Sequence, residues 1–259
     1  MSSSTSSTSS KSKSKTPDYF TKQKRIEGWS QELVEKQTVF CLGVGGLGCT
    51  VALALCRLGV KKIYILDMDV VEAHNLNRQI LFSKKHIGKS KVFSALETLQ
   101  QCHNLQTEIV PMEMDALKNW DKIVAAAKTC TAVINMIDVG DYWDLAVQSL
   151  CSVIGIPHII GGTYANILSA DIYLPYPSAC WLCCNNVPDK KIKANLLPSV
   201  IMSHDKLDFF PHDDHPPSAS TVYIASSAAY MMINTLFQHL SGVKLPTKSI
   251  FYVNTMELF

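Results

Sequence analysis

Apolar residues along this chain fall into two rhythms. Short unbroken runs have the length and β-branched content of strands buried on both faces: Val39-Phe40-Cys41-Leu42, Ile63-Tyr64-Ile65-Leu66 and the stretch from Thr131 to Ile137. Longer segments with one apolar face read as helices: Cys49 to Leu58, Lys91 to about Cys102, Lys118–Lys128 and Trp143 to Gly155. Further strands are predicted at Thr107–Pro111 and Pro157–Ile160. Gly161-Gly162-Thr163 is expected to turn the chain into Leu168 to Leu174, which alternates apolar and polar residues as an antiparallel strand does. A helix over Ala219–Leu240 and a closing strand over Ile250–Asn254 complete the pattern. Strands alternating with helices predict an α/β fold with a mostly parallel sheet and an antiparallel C-terminal extension.

The first strand runs straight into Gly43-Val44-Gly45-Gly46-Leu47-Gly48, and the second ends on Asp67. Strand, glycine turn, helix, strand and acid make the layout of a nucleotide-binding βαβ unit, so the fold expected is a Rossmann-like three-layer sandwich. Gly43 permits the tight turn. Gly45 and Gly46 let the backbone approach a phosphate with no Cβ in the way, and Gly48 lets the helix pack close. The helix N-terminus then offers unpaired N–H groups to an anion. Asp67 lies 19 residues after Gly48, near the spacing of roughly 20 for a carboxylate that takes ribose hydroxyls.

Composition narrows the classes. The chain has 259 residues, 47% hydrophobic and 18% charged, as a globular domain should. A net charge of +2 gives no basic field on the scale of nucleic-acid binding. The apolar runs are too short to span a membrane, and the start has no signal-peptide core. Nine cysteines, an odd number scattered through core elements, point to a reducing compartment, so a cytoplasmic protein is expected, with the nucleus as the alternative. Residues 1–17 are Ser- and Lys-rich and are expected to be a disordered tail, leaving 18–259 as one domain.

After Asp67 the chain reads Met68-Asp69-Val70-Val71-Glu72-Ala73-His74-Asn75-Leu76-Asn77-Arg78-Gln79, and later Ile87-Gly88-Lys89-Ser90-Lys91. A dinucleotide needs no cation here. A triphosphate does, and Arg78 and Lys91 could spread its charge, with Asn75 as a neutral donor. A nicotinamide-dependent oxidoreductase, the other Rossmann reading, is disfavoured by these three residues and by the lack of an evident hydride-transfer site.

These motifs resemble the superfamily of ubiquitin-activating enzymes and their bacterial relatives ThiF, MoeB and HesA, over about Tyr19 to the chain end. The resemblance implies ATP- and magnesium-dependent adenylation of the C-terminal glycine of a ubiquitin-like protein, by a homo- or heterodimer. It implies that Gly46 lies under the phosphates, that Asp67 holds the ribose, and that Asn75, Arg78 and Lys91 face the triphosphate. Asp138, after the apolar strand, would be the magnesium ligand; its bland reading is the N-cap of a helix near Tyr142. The catalytic set expected is thus Arg78, Lys91 and Asp138. No Ser–His–Asp or Cys–His constellation is needed, because the attacking carboxylate is already ionised.

The chain departs from that family in four places. Asp18 to Lys36 is similar to the family's N-terminal helix, and in it Lys22 stands where relatives carry an arginine that reaches a partner's ATP, with Arg25 one turn on. Val139 and Trp143 replace an Asn and an Arg. Cys180 and Cys183 form one CxxC, half of a four-ligand zinc site, and unligated thiols are the other reading. No cysteine occupies Pro217 to Thr221, where several relatives carry a thioester cysteine. The run His204-Asp205, Asp208 and His212 to His215 could bind metal but reads more simply as a loop, which the resemblance implies lies near the partner's tail. The alternative function is therefore an adenylation-impaired scaffold or partner subunit that binds ATP or a modifier.

Overall fold

The computed structural model describes residues 18–102, 106–164, 167–175, 181–184, 201–207, 220–243 and 248–252. The 1–17 tail, Cys180, residues 208–219 and the side chain of Cys183 lie outside them.

Every residue of β1, Thr38–Leu42, is buried. Val39 and Cys41 join one apolar cluster, Phe40 and Leu42 another, as alternation along a strand requires. Such a strand needs cover on both faces. It lies inside a sheet with β2 (Lys62–Asp67), β3 (Glu108–Glu113), β4 (Ala132–Asn135), β5 (His158–Tyr164), β6 (Ile167–Tyr173) and β7 (Lys248–Tyr252). The order is β3-β2-β1-β4-β5-β6-β7. The pairs among β1 to β5 are parallel; β5–β6 and β6–β7 are antiparallel.

Helices fill both faces. Val51 and Leu55 of α2 (Gly46–Leu58), Val92 and Leu99 of α3 (Lys91–Cys102), and Met232 and Leu236 of a long C-terminal helix, Val222–Leu240, share one cluster. Trp120 and Ile123 of Trp120–Ala127 pack with Val147 and Leu150 of Asp141–Ile154 on the other. With α1 at Gln31–Glu35 and a short helix at Trp181–Cys184, these are α4 (Trp120–Ala127), α5 (Asp141–Ile154), α6 (Trp181–Cys184) and α7 (Val222–Leu240). The expected three-layer α/β sandwich is what forms. Among the described residues no helix is long and apolar enough to cross a membrane.

Three local expectations are corrected. Gly161, Gly162 and Thr163 do not turn the chain: they are paired within β5, opposite Ala170, Ser169 and Leu168 of β6. A Cβ on Gly161 would lie 2.5 Å from the Met232 sulfur, so glycine there admits α7 rather than a bend. The strand before Asp138 stops at Asn135, and the N-cap of α5 is Gly140, with φ 101°, not Asp138. Asp18 to Lys36, expected to resemble one N-terminal helix, folds as a 3-10 turn at Gln23–Arg25 followed by the five-residue α1.

Candidate functional site

In this strand order the chain builds outward from β1 in one direction and from β4 in the other. The crevice at their carboxyl ends is where open α/β sheets bind ligands. Gly43 stands there with φ 96°, and a Cβ on it would meet the Met136 carbonyl at 3.0 Å. Its N–H donates to Leu66 O at 2.8 Å, and Met136 N–H donates to Leu42 O at 2.9 Å. The turn is thus wedged between β2 and the segment leaving β4. Gly48 is closer still: its Cβ would lie 2.1 Å from the Gly43 carbonyl oxygen, so only glycine lets α2 begin here.

Gly45 and Gly46 separate in role. A Cβ on Gly45 would meet nothing within 4 Å, which leaves an open cradle. At Gly46 it would meet Ala225 Cβ at 3.3 Å and the Arg78 stem at 3.5 Å. Both glycines are expected from their spacing to admit a phosphate. At Gly46 the space is already filled by α7 and by Arg78. Gly45, the α2 N-cap, has no side-chain cap, so the first N–H groups of a 13-residue helix face that cradle.

Asp67 is tied into the same corner. Its Oδ2 accepts the Val44 N–H at 2.8 Å and its Oδ1 the Asp69 N–H at 3.0 Å. Asp69 in turn accepts from Lys91, through its backbone carbonyl at 3.0 Å and its carboxylate at 2.7 Å. An unbroken polar path therefore runs from the glycine turn through Asp67 and Asp69 to Lys91. Lys91 is buried, its side chain 9% exposed. Sequence reasoning found Asp67 and Lys91 but passed over Asp69; the Asp-x-Asp spacing was the available signal.

Arg78 lies across the turn, its stem over Gly46 and its Nη1 donating to His74 O at 3.1 Å and Asn77 Oδ1 at 2.9 Å. Asn75 is buried, and its Oδ1 accepts the Glu72 N–H at 2.9 Å, closing a capping box. Its carbonyl accepts the N–H groups of both Arg78 and Gln79. Asn75 therefore shapes the loop that carries the arginine.

Asp138 is exposed on the segment leaving β4, two residues past Met136, whose carbonyl abuts Gly43. A carboxylate there is a hard oxygen donor of the kind magnesium shares with substrate phosphates. Below it, Trp143 does not face the crevice. It is buried, donates from Nε1 to Asn135 Oδ1 at 2.8 Å and meets Trp120 edge-on at 5.8 Å. Asn135 Nδ2 donates to Asp144 Oδ1 at 2.8 Å. Burial, with Asp141 nearby, raises the Asp144 carboxyl well above its ordinary range.

Lys22 and Arg25 sit elsewhere. Gln23 and Gln31 both donate to Leu58 O at the C-terminal end of α2, and the Phe20 ring fills the space beside Gly59. Thirteen residues at about 1.5 Å each put that end roughly 20 Å from the glycine turn. Among the described residues no group of three or more His, Cys, Asp or Glu could hold a metal. Cys49, Cys56 and Cys130 are buried, and burial pushes each thiol up to about 12; Cys184 is exposed.

A family model described as the ThiF family matches residues 20–258. The NEDD8-activating enzyme E1 catalytic subunit of Dictyostelium discoideum is 29% identical over 158 residues, covering 56% of this chain and 35% of that protein. The ubiquitin-like modifier-activating enzyme 5 of Gallus gallus is 31% identical over 176 residues, covering 64% of this chain and 43% of that protein. This chain thus spans less than half the length of either relative. The crystal structure of E. coli MccB with ATP has a TM-score of 0.64 at 20% identity, covering 86% of this chain and 63% of that one, a likeness of fold.

Proposed function

The chain belongs to the ThiF family, and on that footing we propose that it adenylates the C-terminal glycine of a ubiquitin-like protein using ATP. The observation that carries this is the path from Val44 N–H through Asp67 and Asp69 to Lys91, beside the open amides at Gly45. It offers one acid for a sugar and, with Arg78, two cations and a helix N-terminus for a phosphate chain.

The reaction would form a bond between a carboxylate oxygen and the α-phosphorus and break the bond to the β-phosphate, releasing pyrophosphate. The attacking carboxylate is ionised at neutral pH, so no side chain need remove a proton. Catalysis then rests on alignment and on spreading phosphate charge. In this reading Asp67 fixes the ribose, the Gly45–Gly48 amides and Arg78 hold the phosphates, and Lys91 meets the charge that develops on them. Asn75 acts chiefly by aiming Arg78. Asp138 would hold magnesium, which neutralises phosphate charge when bound.

Three parts of the proposal lie outside the site. Lys22, some 20 Å from its own glycine turn along α2, suits a role in a second subunit's site, so a homo- or heterodimer is proposed. Buried free thiols fit a cytoplasmic protein. The buried cysteines are held protonated and do not serve as thioester nucleophiles.

A second reading is a subunit that binds ATP or modifier without turnover. Trp143 supports it, because the position carries a core side chain and no cation. ATP–pyrophosphate exchange with a panel of ubiquitin-like proteins decides between them. Exchange that requires one modifier with a free C-terminal glycine supports adenylation. MgATP binding with no exchange for any modifier supports the second reading.

A further inference from the structure

We infer that Asp69 is a positioning residue for nucleotide binding, holding Lys91 extended toward the phosphate chain. The inference rests on the adenylation reading and adds a residue to it.

Two short segments are clamped together here. Val70 pairs with Ser90 as an antiparallel bridge. Lys91 N–H donates to Asp69 O at 3.0 Å, Val71 N–H to Lys89 O at 2.8 Å and Gly88 N–H to Val71 O at 2.8 Å. The backbone of Asp69 is therefore fixed on two sides, by Asp67 and by Lys91. Its carboxylate then has one short reach, the Lys91 ammonium at 2.7 Å.

The two partners differ in exposure. The Lys91 side chain is 9% exposed and the Asp69 side chain 53%. A buried ammonium needs a partner, and without one it bends away toward water. Asp69 stays half solvated and can hold that partner in place. It occupies one of three ammonium donors, leaving the others for phosphate oxygens. A lysine stem is otherwise free to rotate, so ordering it beforehand removes part of the entropy lost on binding. Asp67 connects the same structure to the sugar corner. The distance between the ribose acid and the phosphate lysine is thus fixed through Asp69 rather than through two independent side chains.

Titration calorimetry of the full chain with MgATP and, separately, with AMP isolates the phosphate tail. Asp69→Asn should lower MgATP affinity about tenfold, the worth of one charge-assisted contact, and leave AMP affinity unchanged. Asp69→Glu should recover part of the loss. In a Lys91→Met chain, Asp69→Asn should change nothing further, since the effect passes through the lysine. Equal losses for MgATP and AMP would mean a merely structural role and overturn the inference. MgATP binding that is unchanged or tighter in Asp69→Asn would overturn it too, leaving the adenylation reading intact. Wild-type protein that binds neither nucleotide would overturn both.

Discussion

Asp67 accepts the Val44 N–H at 2.8 Å, so the acid that ends β2 holds the glycine turn that follows β1. Val44 is fully buried. Asp67→Ala would leave its amide unpaired, at a cost of about 1–3 kcal/mol. It would also remove the ribose acceptor. The expected outcome is a modest fall in Tm together with at least a tenfold loss of affinity for ATP and AMP alike, measured by thermal melts and calorimetry. Unchanged AMP affinity would remove Asp67 from the sugar site.

The glycines should respond in opposite ways. Gly45 has open space around its Cβ position and an ordinary φ of −83°. Gly45→Ala should change stability by no more than about 1 kcal/mol while blocking phosphate approach and abolishing measurable ATP binding. Gly48→Ala would drive a methyl to 2.1 Å from a backbone oxygen. It should cost at least ~3 kcal/mol and be seen as loss of folding in denaturant titration. The reverse ranking would show that the open cradle is not where phosphate sits.

Trp143→Arg would not supply the arginine that the resemblance implies at this position. The position is enclosed by Trp120 and Asn135, so a guanidinium there would be a buried charge in place of a packed ring. A loss of about 3–5 kcal/mol in stability is expected, with no gain in pyrophosphate exchange. Increased exchange would mean that α5 can rotate this side chain into the crevice.

Acid should weaken the fold through His158. Its ring is buried, Nδ1 lies 3.0 Å from Gln148 Oε1, and burial pushes its pKa from 6.5 down to about 3. Between those values the unfolded chain binds a proton that the folded chain does not. The group's contribution is therefore complete above pH 6.5 and shrinks as pH falls toward 3, by about 1.4 kcal/mol per unit. Asp144, with its carboxyl raised, acts oppositely: its contribution declines as pH rises above 3.8 toward its folded value. Urea titrations across this range should show a shallower acid limb in His158→Gln. An unchanged limb would assign acid sensitivity to other groups.

The strands and helices were legible because their signals are local. β1, β2 and α2 each carry an unbroken or periodic apolar pattern, and Asp67 follows at a set distance. What the local pattern did not carry depended on contacts between distant segments. Gly161 looks like a turn residue until Met232, far along the chain, is seen lying across it. Gly46 reads as a phosphate glycine, and only the fold shows that Ala225 also stands 3.3 Å from its Cβ position. Asp69 could be paired with Lys91 only once residues 69–71 and 88–91 were known to run antiparallel. Trp143 stands where the resemblance implies an arginine, and only the fold shows that its ring packs beneath Asn135. The CxxC at Cys180 and Cys183 falls outside the described residues or side chains.

The most direct measurement is a crystal structure with MgATP bound. The account predicts ribose hydroxyls on Asp67, phosphates over the Gly45–Gly48 amides, and the Arg78 and Lys91 nitrogens within about 4 Å of phosphate oxygens. Nucleotide absent from this turn, or present with both cations directed into solvent, would contradict it.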